Sequence, residues 1–114
     1  MKKDWISLLL VAVFLAGCAP KTAKIEIVNR SEDPVKIGMI RVCDRKLVVD
    51  GLKAAETRSF SFDLCEDNTY HIDLLFKSDK TLKKQMSSES SDHKGVKDVI
   101  IINPTDLEIR TVNM

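Results

Sequence analysis

Apolar and polar residues alternate at a period of two along most of the chain from residue 24 onward. The clearest run is TYHIDLLF, in which Tyr70, Ile72, Leu74 and Phe76 fall on one side of an extended chain. Shorter runs of the same kind are KIEIVN, RSFSFDL and LEIR. Because successive side chains of a strand point to opposite faces, this pattern predicts β-strands with one buried and one solvated face.

Two segments depart from simple alternation. In VKIGMIRV the apolar positions shift from Ile37 and Met39 to Ile40 and Val42, which predicts a β-bulge near residues 38–40. Residues 99–102 are all apolar, so we expect a strand there that is buried on both faces.

Turn signals separate these strands about every ten residues. They fall at residues 44–46, at Asp50-Gly51, at residues 77–81 and at Asn103-Pro104, and residues 52–56 carry the one trace of a helical turn. Residues 87–94 (SSESSDHK) contain no apolar residue and are expected to form a mobile surface loop.

Seven or eight short strands with this spacing predict an all-β fold, a small two-layer antiparallel β-sandwich. The succession of GLKAAETRSFSF and NTYHIDLLF resembles small immunoglobulin-like or transthyretin-like envelope domains. That resemblance leaves the order of the strands open.

The start of the chain has a different pattern. Lys2 and Lys3 precede an apolar run at residues 6–14, and small residues follow, which is the layout of a secretory signal peptide. The run is shorter than the about 20 apolar residues that a membrane-spanning helix needs.

This run ends in Leu15-Ala16-Gly17-Cys18, which resembles the lipobox of bacterial lipoproteins. The resemblance implies that the Cys18 thiol receives diacylglycerol, that residues 1–17 are removed, and that acyl chains on Cys18 anchor the protein to the membrane lipid. Apart from this covalent lipid, no cofactor is expected. The next residue, Ala19, is not the aspartate that tends to retain such proteins in the inner membrane. The resemblance therefore favours the periplasmic face of the outer membrane, or the outer face of the cytoplasmic membrane in a Gram-positive cell.

The predicted organisation is a signal peptide at residues 1–17, a lipidated cysteine with a short tether at 18–23, and a β-sandwich domain at 24–114. The whole chain has 18 basic and 17 acidic residues. Lys2, Lys3 and Asp4 leave with the signal peptide, so the two signs then balance at sixteen each. A neutral domain gives no reason to expect a nucleic acid partner.

The tether after Cys18 has five residues, at 19–23. Five extended residues reach at most ~18 Å, so a protein partner is expected close to the membrane.

Cys43 and Cys65 each end a predicted strand. In an oxidising compartment an even pair of cysteines indicates a disulfide first, and its closed loop would stabilise a small domain by about 3 kcal/mol. Two free thiols, or a metal or redox site, are the alternatives. Neither cysteine belongs to a CxxC motif, so the sequence predicts no metal site.

Candidate chemistry is sparse. His71 and Asp73 project from one face of the same predicted strand, where a solvent-facing polar row is the simpler interpretation than a metal site or an acid–base pair. Ser90, Ser91, Asp92 and His93 include the residue types of a hydrolase triad, but neighbours on one loop cannot hold its geometry. The chain has no HExxH, GxSxG or glycine-rich phosphate motif. Asn29-Arg30-Ser31 matches a glycosylation sequon and carries no weight in a bacterial lipoprotein.

These observations favour a non-enzymatic envelope lipoprotein that binds another protein, as an assembly module of a secretion, conjugation or pilus system. Leu47, Val48 and Val49 are expected to be core residues first; if their strand lies at an unpaired sheet edge, they are instead candidates for recruiting that partner by strand addition. The alternative is an inhibitor, immunity or exclusion lipoprotein. A metal carrier or enzyme using His71, Asp73 and the cysteines is the weaker third hypothesis, and no small-molecule substrate is evident.

Overall fold

The computed structural model describes residues 22–90 and 95–114. The predicted signal peptide, the lipobox-like residues Leu15-Ala16-Gly17 and the predicted lipid attachment site Cys18 lie outside the described residues. The described residues form eight strands and no helix, and so contain no helix that is long and apolar enough to cross a membrane. The strands are β1 (Thr22–Asn29), β2 (Val35–Val42), β3 (Arg45–Leu52), β4 (Thr57–Asp63), β5 (Thr69–Phe76), β6 (Thr81–Ser87), β7 (Val96–Ile102) and β8 (Leu107–Asn113).

The strands form a two-layer β-sandwich, as the alternation predicts. Sheet A has the order β4-β1-β7-β8, and sheet B has the order β3-β2-β5-β6. All neighbouring strands are antiparallel except β1 and β7, which run parallel. The second and third strands share a sheet here, whereas the immunoglobulin order places them in different sheets. The strand order therefore differs from the immunoglobulin one.

The core lies between the sheets and is built from the alternating positions. Tyr70, Ile72, Leu74 and Phe76 of β5 are all buried, as are Ile25 and Ile27 of β1 and Ile100 and Ile102 of β7. The prediction that residues 99–102 are covered on both faces is confirmed at Ile101, which points away from the core yet is only 2% exposed. Ile101 belongs to β7, which lies between β1 and β8 in sheet A, so adjacent side chains cover it.

The bulge lies two residues earlier than predicted. Val35 pairs with Phe76 while Ile37 pairs with Leu75, so Lys36 is the extra residue. Gly38 suggests a bulge by its type, but its role is packing, because a Cβ added there would lie 2.6 Å from Leu74 Cδ2. The bulge leaves Val35 in the core and turns Ile37 outward.

Several predicted boundaries were wrong by a few residues. The β2–β3 turn consists of Cys43 and Asp44, both with positive φ, which is the geometry of a two-residue hairpin. Asp50-Gly51 does not end β3, since the strand continues to Leu52, which is buried and pairs with Val35. Residues 52–56 contain a turn at Ala54-Ala55 and no helix.

Two further segments differ from expectation. Thr22 and Ala23, assigned above to the tether, belong to β1, where Ala23 is buried and pairs with Phe62. Ser88, assigned to the surface loop, is buried at 6% exposure and bonds to Asp98 of β7. Residues 91–94 of that loop lie outside the described residues.

The sandwich has two distinct ends. The first residue of β1, the β2–β3 turn and the β4–β5 loop meet at one end, which we call the disulfide end. The loops after β1, β3, β5 and β7 meet at the opposite end, which we call the loop end.

Candidate functional site

The outer face of sheet B is the strongest candidate for a binding surface. Three rows of side chains cross this face from β3 to β6. In the pairing register, the row nearest the loop end consists of Asp50, Ile37, Leu75 and Thr81. The second row consists of Val48, Met39, Asp73 and Lys83, and the third consists of Lys46, Arg41, His71 and Gln85. The first two rows carry four apolar residues, while the third is polar and basic.

We call Ile37, Met39, Val48 and Leu75 the sheet B patch. Ile37 is 49% exposed and Val48 is 50% exposed, and Met39 and Leu75 are half-buried. A shallow cleft of about 280 Å³ lies over these four residues. Single exposed apolar residues are ordinary on a protein surface, but a contiguous group on an otherwise charged face marks an interaction site.

His71 and Asp73 both project from this outer face, as predicted. His71 lies between Arg41 and Gln85 of the neighbouring strands, and Asp73 lies between Met39 and Lys83. Across residues 22–90 and 95–114 no three His, Cys, Asp or Glu side chains come together as ligands for a metal ion. His71 and Asp73 lie at the border of the sheet B patch.

The remaining polar candidates are placed differently. Ser90 lies at the edge of the described residues, where its backbone N–H donates to Ser88 Oγ at 3.1 Å; Ser91, Asp92 and His93 lie outside them. Asn29 of the sequon is fully buried, and its side chain accepts hydrogen bonds from Ser31 N at 3.0 Å and Ser31 Oγ at 2.6 Å. This motif is a structural turn.

Cys43 and Cys65 form a disulfide, with their Cα atoms 5.8 Å apart. The bond joins the β2–β3 turn of sheet B to the loop that leaves β4 of sheet A. It therefore ties the two layers together at the disulfide end, which is the stabilising role that the sequence indicates.

A buried polar cluster beside it was not predicted from the sequence. Asp98 is 1% exposed, and its carboxylate accepts hydrogen bonds from Tyr70, from Ser88 Oγ at 2.8 Å and from Thr111 Oγ1 at 2.7 Å. Burial, together with the hydrogen bond to Asp98, raises the pKa of the Tyr70 hydroxyl well above its usual range. No buried side-chain polar atom of the described residues lacks a partner, so the cluster is internally satisfied.

The edge containing Leu47, Val48 and Val49 is less open than predicted. β3 is an edge strand, but Arg58 of β4 reaches across the seam between the sheets to the carbonyl oxygens of Asp50, at 2.5 Å, and Gly51, at 3.4 Å. At the other end of the seam, Arg45 pairs with Asp63 at 2.9 Å. Charged residues that cover an edge in this way oppose strand addition. Val49 is core, and Val48 is exposed on the sheet face.

Comparison with known proteins supports the fold. No protein-family model matches the chain, and no curated protein matches it. Among solved structures, the chain is similar to one described as the NMR structure of a protein from Eubacterium rectale. The two share 16% sequence identity with a TM-score of 0.60, over 82% of this chain and 90% of that one. At this sequence identity the structural similarity supports the β-sandwich fold of this chain and gives no information about its activity.

Proposed function

We propose that the protein is a lipid-anchored, non-enzymatic envelope protein that binds another envelope protein through the sheet B patch. The observation that carries this proposal is the exposure of Ile37 and Val48 side by side with Met39 and Leu75. Such a small patch, bordered by charged residues, suits a modest interface with a separate protein better than an obligate one.

The anchor in this proposal is Cys18, within the motif Leu15-Ala16-Gly17-Cys18. Since β1 begins at Thr22, the tether comprises residues 19–21, and four Cα–Cα steps limit its reach to about 15 Å. An anchored domain would then hold its disulfide end toward the bilayer. The sheet B patch would lie on the side of the domain and the loop end would point away, so both would be accessible to a partner.

The experiment that tests this function compares variants purified from detergent-solubilised membranes. A Cys18→Ala change should release the protein from the membrane fraction. An Ile37→Ser/Val48→Ser variant should stay anchored and folded but no longer co-purify with the envelope protein that the wild type retains. Ser59→Ala, on the outer face of sheet A, is the matched control and should retain that protein. The proposal is wrong if the patch variant and the control retain the same proteins.

A further inference from the structure

A cationic recess of about 820 Å³ opens at the loop end, next to the sheet B patch. It is lined by Lys36, Lys53 and Lys77, with Pro34 and Ala54 supplying apolar surface between them. Among the described residues, no acidic side chain lines this recess. The arrangement therefore presents three positive charges around an apolar floor.

The three lysines come from three separate parts of the chain. Lys36 is the bulged residue of β2, Lys53 directly follows β3, and Lys77 directly follows β5. All three are exposed, and none forms an ion pair with any of the residues at 22–90 or 95–114. The sequence pattern gives no sign of this grouping, because the loops converge only in the folded sandwich.

Two acidic residues of the same loops, Asp33 and Glu56, form hydrogen bonds or ion pairs with other groups. Asp33 accepts hydrogen bonds from the backbone N–H of Ser78 at 3.3 Å and from the Ser78 hydroxyl. Glu56 forms an ion pair with Arg58 at 3.1 Å and accepts a hydrogen bond from the backbone N–H of Lys53 at 3.3 Å. These carboxylates hold the loops in place rather than neutralise the lysine side chains.

Hydrogen bonds also fix the loops to one another. The Asn29 side chain donates to the carbonyl oxygens of Asp33, at 3.0 Å, and Leu52, at 3.3 Å. The N–H of Lys77 donates to Pro34 O at 2.8 Å, and the N–H of Ala55 donates to Asn29 O at 2.6 Å. The backbone positions of the lysines are thus set before any ligand arrives, which lowers the entropic cost of binding.

We propose that this recess binds an acidic segment of the partner protein, whose carboxylates pair with Lys36, Lys53 and Lys77. The inference rests on the proposed function in taking that partner to be a protein. Its support is continuity with the sheet B patch, since Lys36 directly precedes Ile37 in β2. A ligand crossing both surfaces must carry acidic groups beside apolar side chains.

A phosphate-bearing ligand is the competing class. Tight phosphate sites commonly use a forked arginine or a nest of backbone N–H groups in addition to lysine. The cations of this recess are all lysines and its floor is apolar, which fits carboxylates at the edge of a protein interface better.

The test uses the ¹⁵N-labelled full chain in detergent micelles, titrated with a synthetic peptide of glutamate and leucine residues and followed by NMR. We expect amide shifts at residues 35, 36, 51–54 and 77. A peptide with glutamine in place of glutamate should bind at least about tenfold more weakly, since three surface charge pairs contribute on the order of 1.4 kcal/mol together. Equal binding of the two peptides, or no binding of either, would overturn the proposal.

A matched pair of triple variants separates a site from general charge attraction. Lys36→Gln/Lys53→Gln/Lys77→Gln should weaken binding of the glutamate peptide about tenfold. Lys24→Gln/Lys97→Gln/Arg110→Gln, on the outer face of sheet A and with the same change in net charge, should leave it within about twofold. Equal losses in the two variants would contradict a defined site. Displacement of the peptide by inorganic phosphate, at a concentration lower than that of the peptide, would instead favour a phosphate-bearing ligand and overturn the proposal. This readout needs no native partner, so it can fail or succeed independently of the test of the sheet B patch.

Discussion

The Tyr70 hydroxyl of β5 donates a hydrogen bond to the Asp98 carboxylate of β7, and so joins the two sheets inside the disulfide end. Both residues are almost fully buried. Replacing Tyr70 with Phe keeps the ring and removes one donor from a buried carboxylate. We expect the free energy of unfolding to fall by about 1.5–3 kcal/mol, measured by urea denaturation. Ser59→Ala, a hydroxyl loss at an exposed site, is the control. Equal stability of Tyr70→Phe and the wild type would show that the bond contributes nothing.

The burial of Tyr70, together with this hydrogen bond, predicts how stability depends on alkaline pH. The folded pKa of Tyr70 is raised, so above about pH 10 the unfolded chain loses a proton that the folded chain keeps. Stability should be unaffected by this group below pH 10 and should fall by up to about 1.4 kcal/mol per pH unit above it. Tyr70 is the single tyrosine of the chain, so absorbance of the phenolate reports on it directly. The native protein should show no phenolate before it unfolds, and the Tyr70→Phe variant should lack this part of the pH dependence. A native phenolate signal near pH 10 would contradict the buried hydrogen bond.

The Cys43–Cys65 disulfide gives a third prediction. The two cysteines are 22 residues apart, and removing the bond should lower the free energy of unfolding by about 3 kcal/mol. Urea denaturation of a Cys43→Ser/Cys65→Ser variant measures this loss. Alkylation of both thiols in the native, unreduced protein would show that the bond is not formed.

Asn29 provides a test of the loop framework. Its side chain donates hydrogen bonds to Asp33 O and Leu52 O, and truncation to Ala would leave both carbonyl oxygens without this donor. We expect a loss of about 2–3 kcal/mol in unfolding free energy and faster amide exchange in residues 31–33 and 53–56. Unchanged exchange in these loops would mean that other contacts hold them.

The sequence predicts the sandwich well because its signal is local. Alternation in β5 reports which of its residues face the core, and the turn at residues 77–80 follows directly from its composition. The position of the bulge at Lys36 does not follow, since it depends on how β2 pairs with Phe76 and Leu75 on β5. A residue type such as Gly38 does not distinguish a bulge from a close contact with Leu74.

The functional surfaces were harder to predict for the same reason. Asp98 directly precedes an apolar run, but its partners Tyr70 and Thr111 lie 28 and 13 residues away. Val48 and Ile37 look like core residues in the sequence, and only the cross-strand register places both on the outer face. His71 and Asp73, by contrast, were assigned to the correct face from alternation alone.

The most direct test of the sheet B patch is site-specific photo-crosslinking in the native host. A benzophenone amino acid at Val48 of the full-length protein should give a discrete adduct with one envelope protein, and the added change Ile37→Asp should abolish it. The same amino acid at Ser59, on the outer face of sheet A, should give no such adduct. The proposed role of the sheet B patch is contradicted if Val48 and Ser59 give the same adducts, if the Val48 adduct is a second copy of this chain, or if Ile37→Asp leaves the yield unchanged.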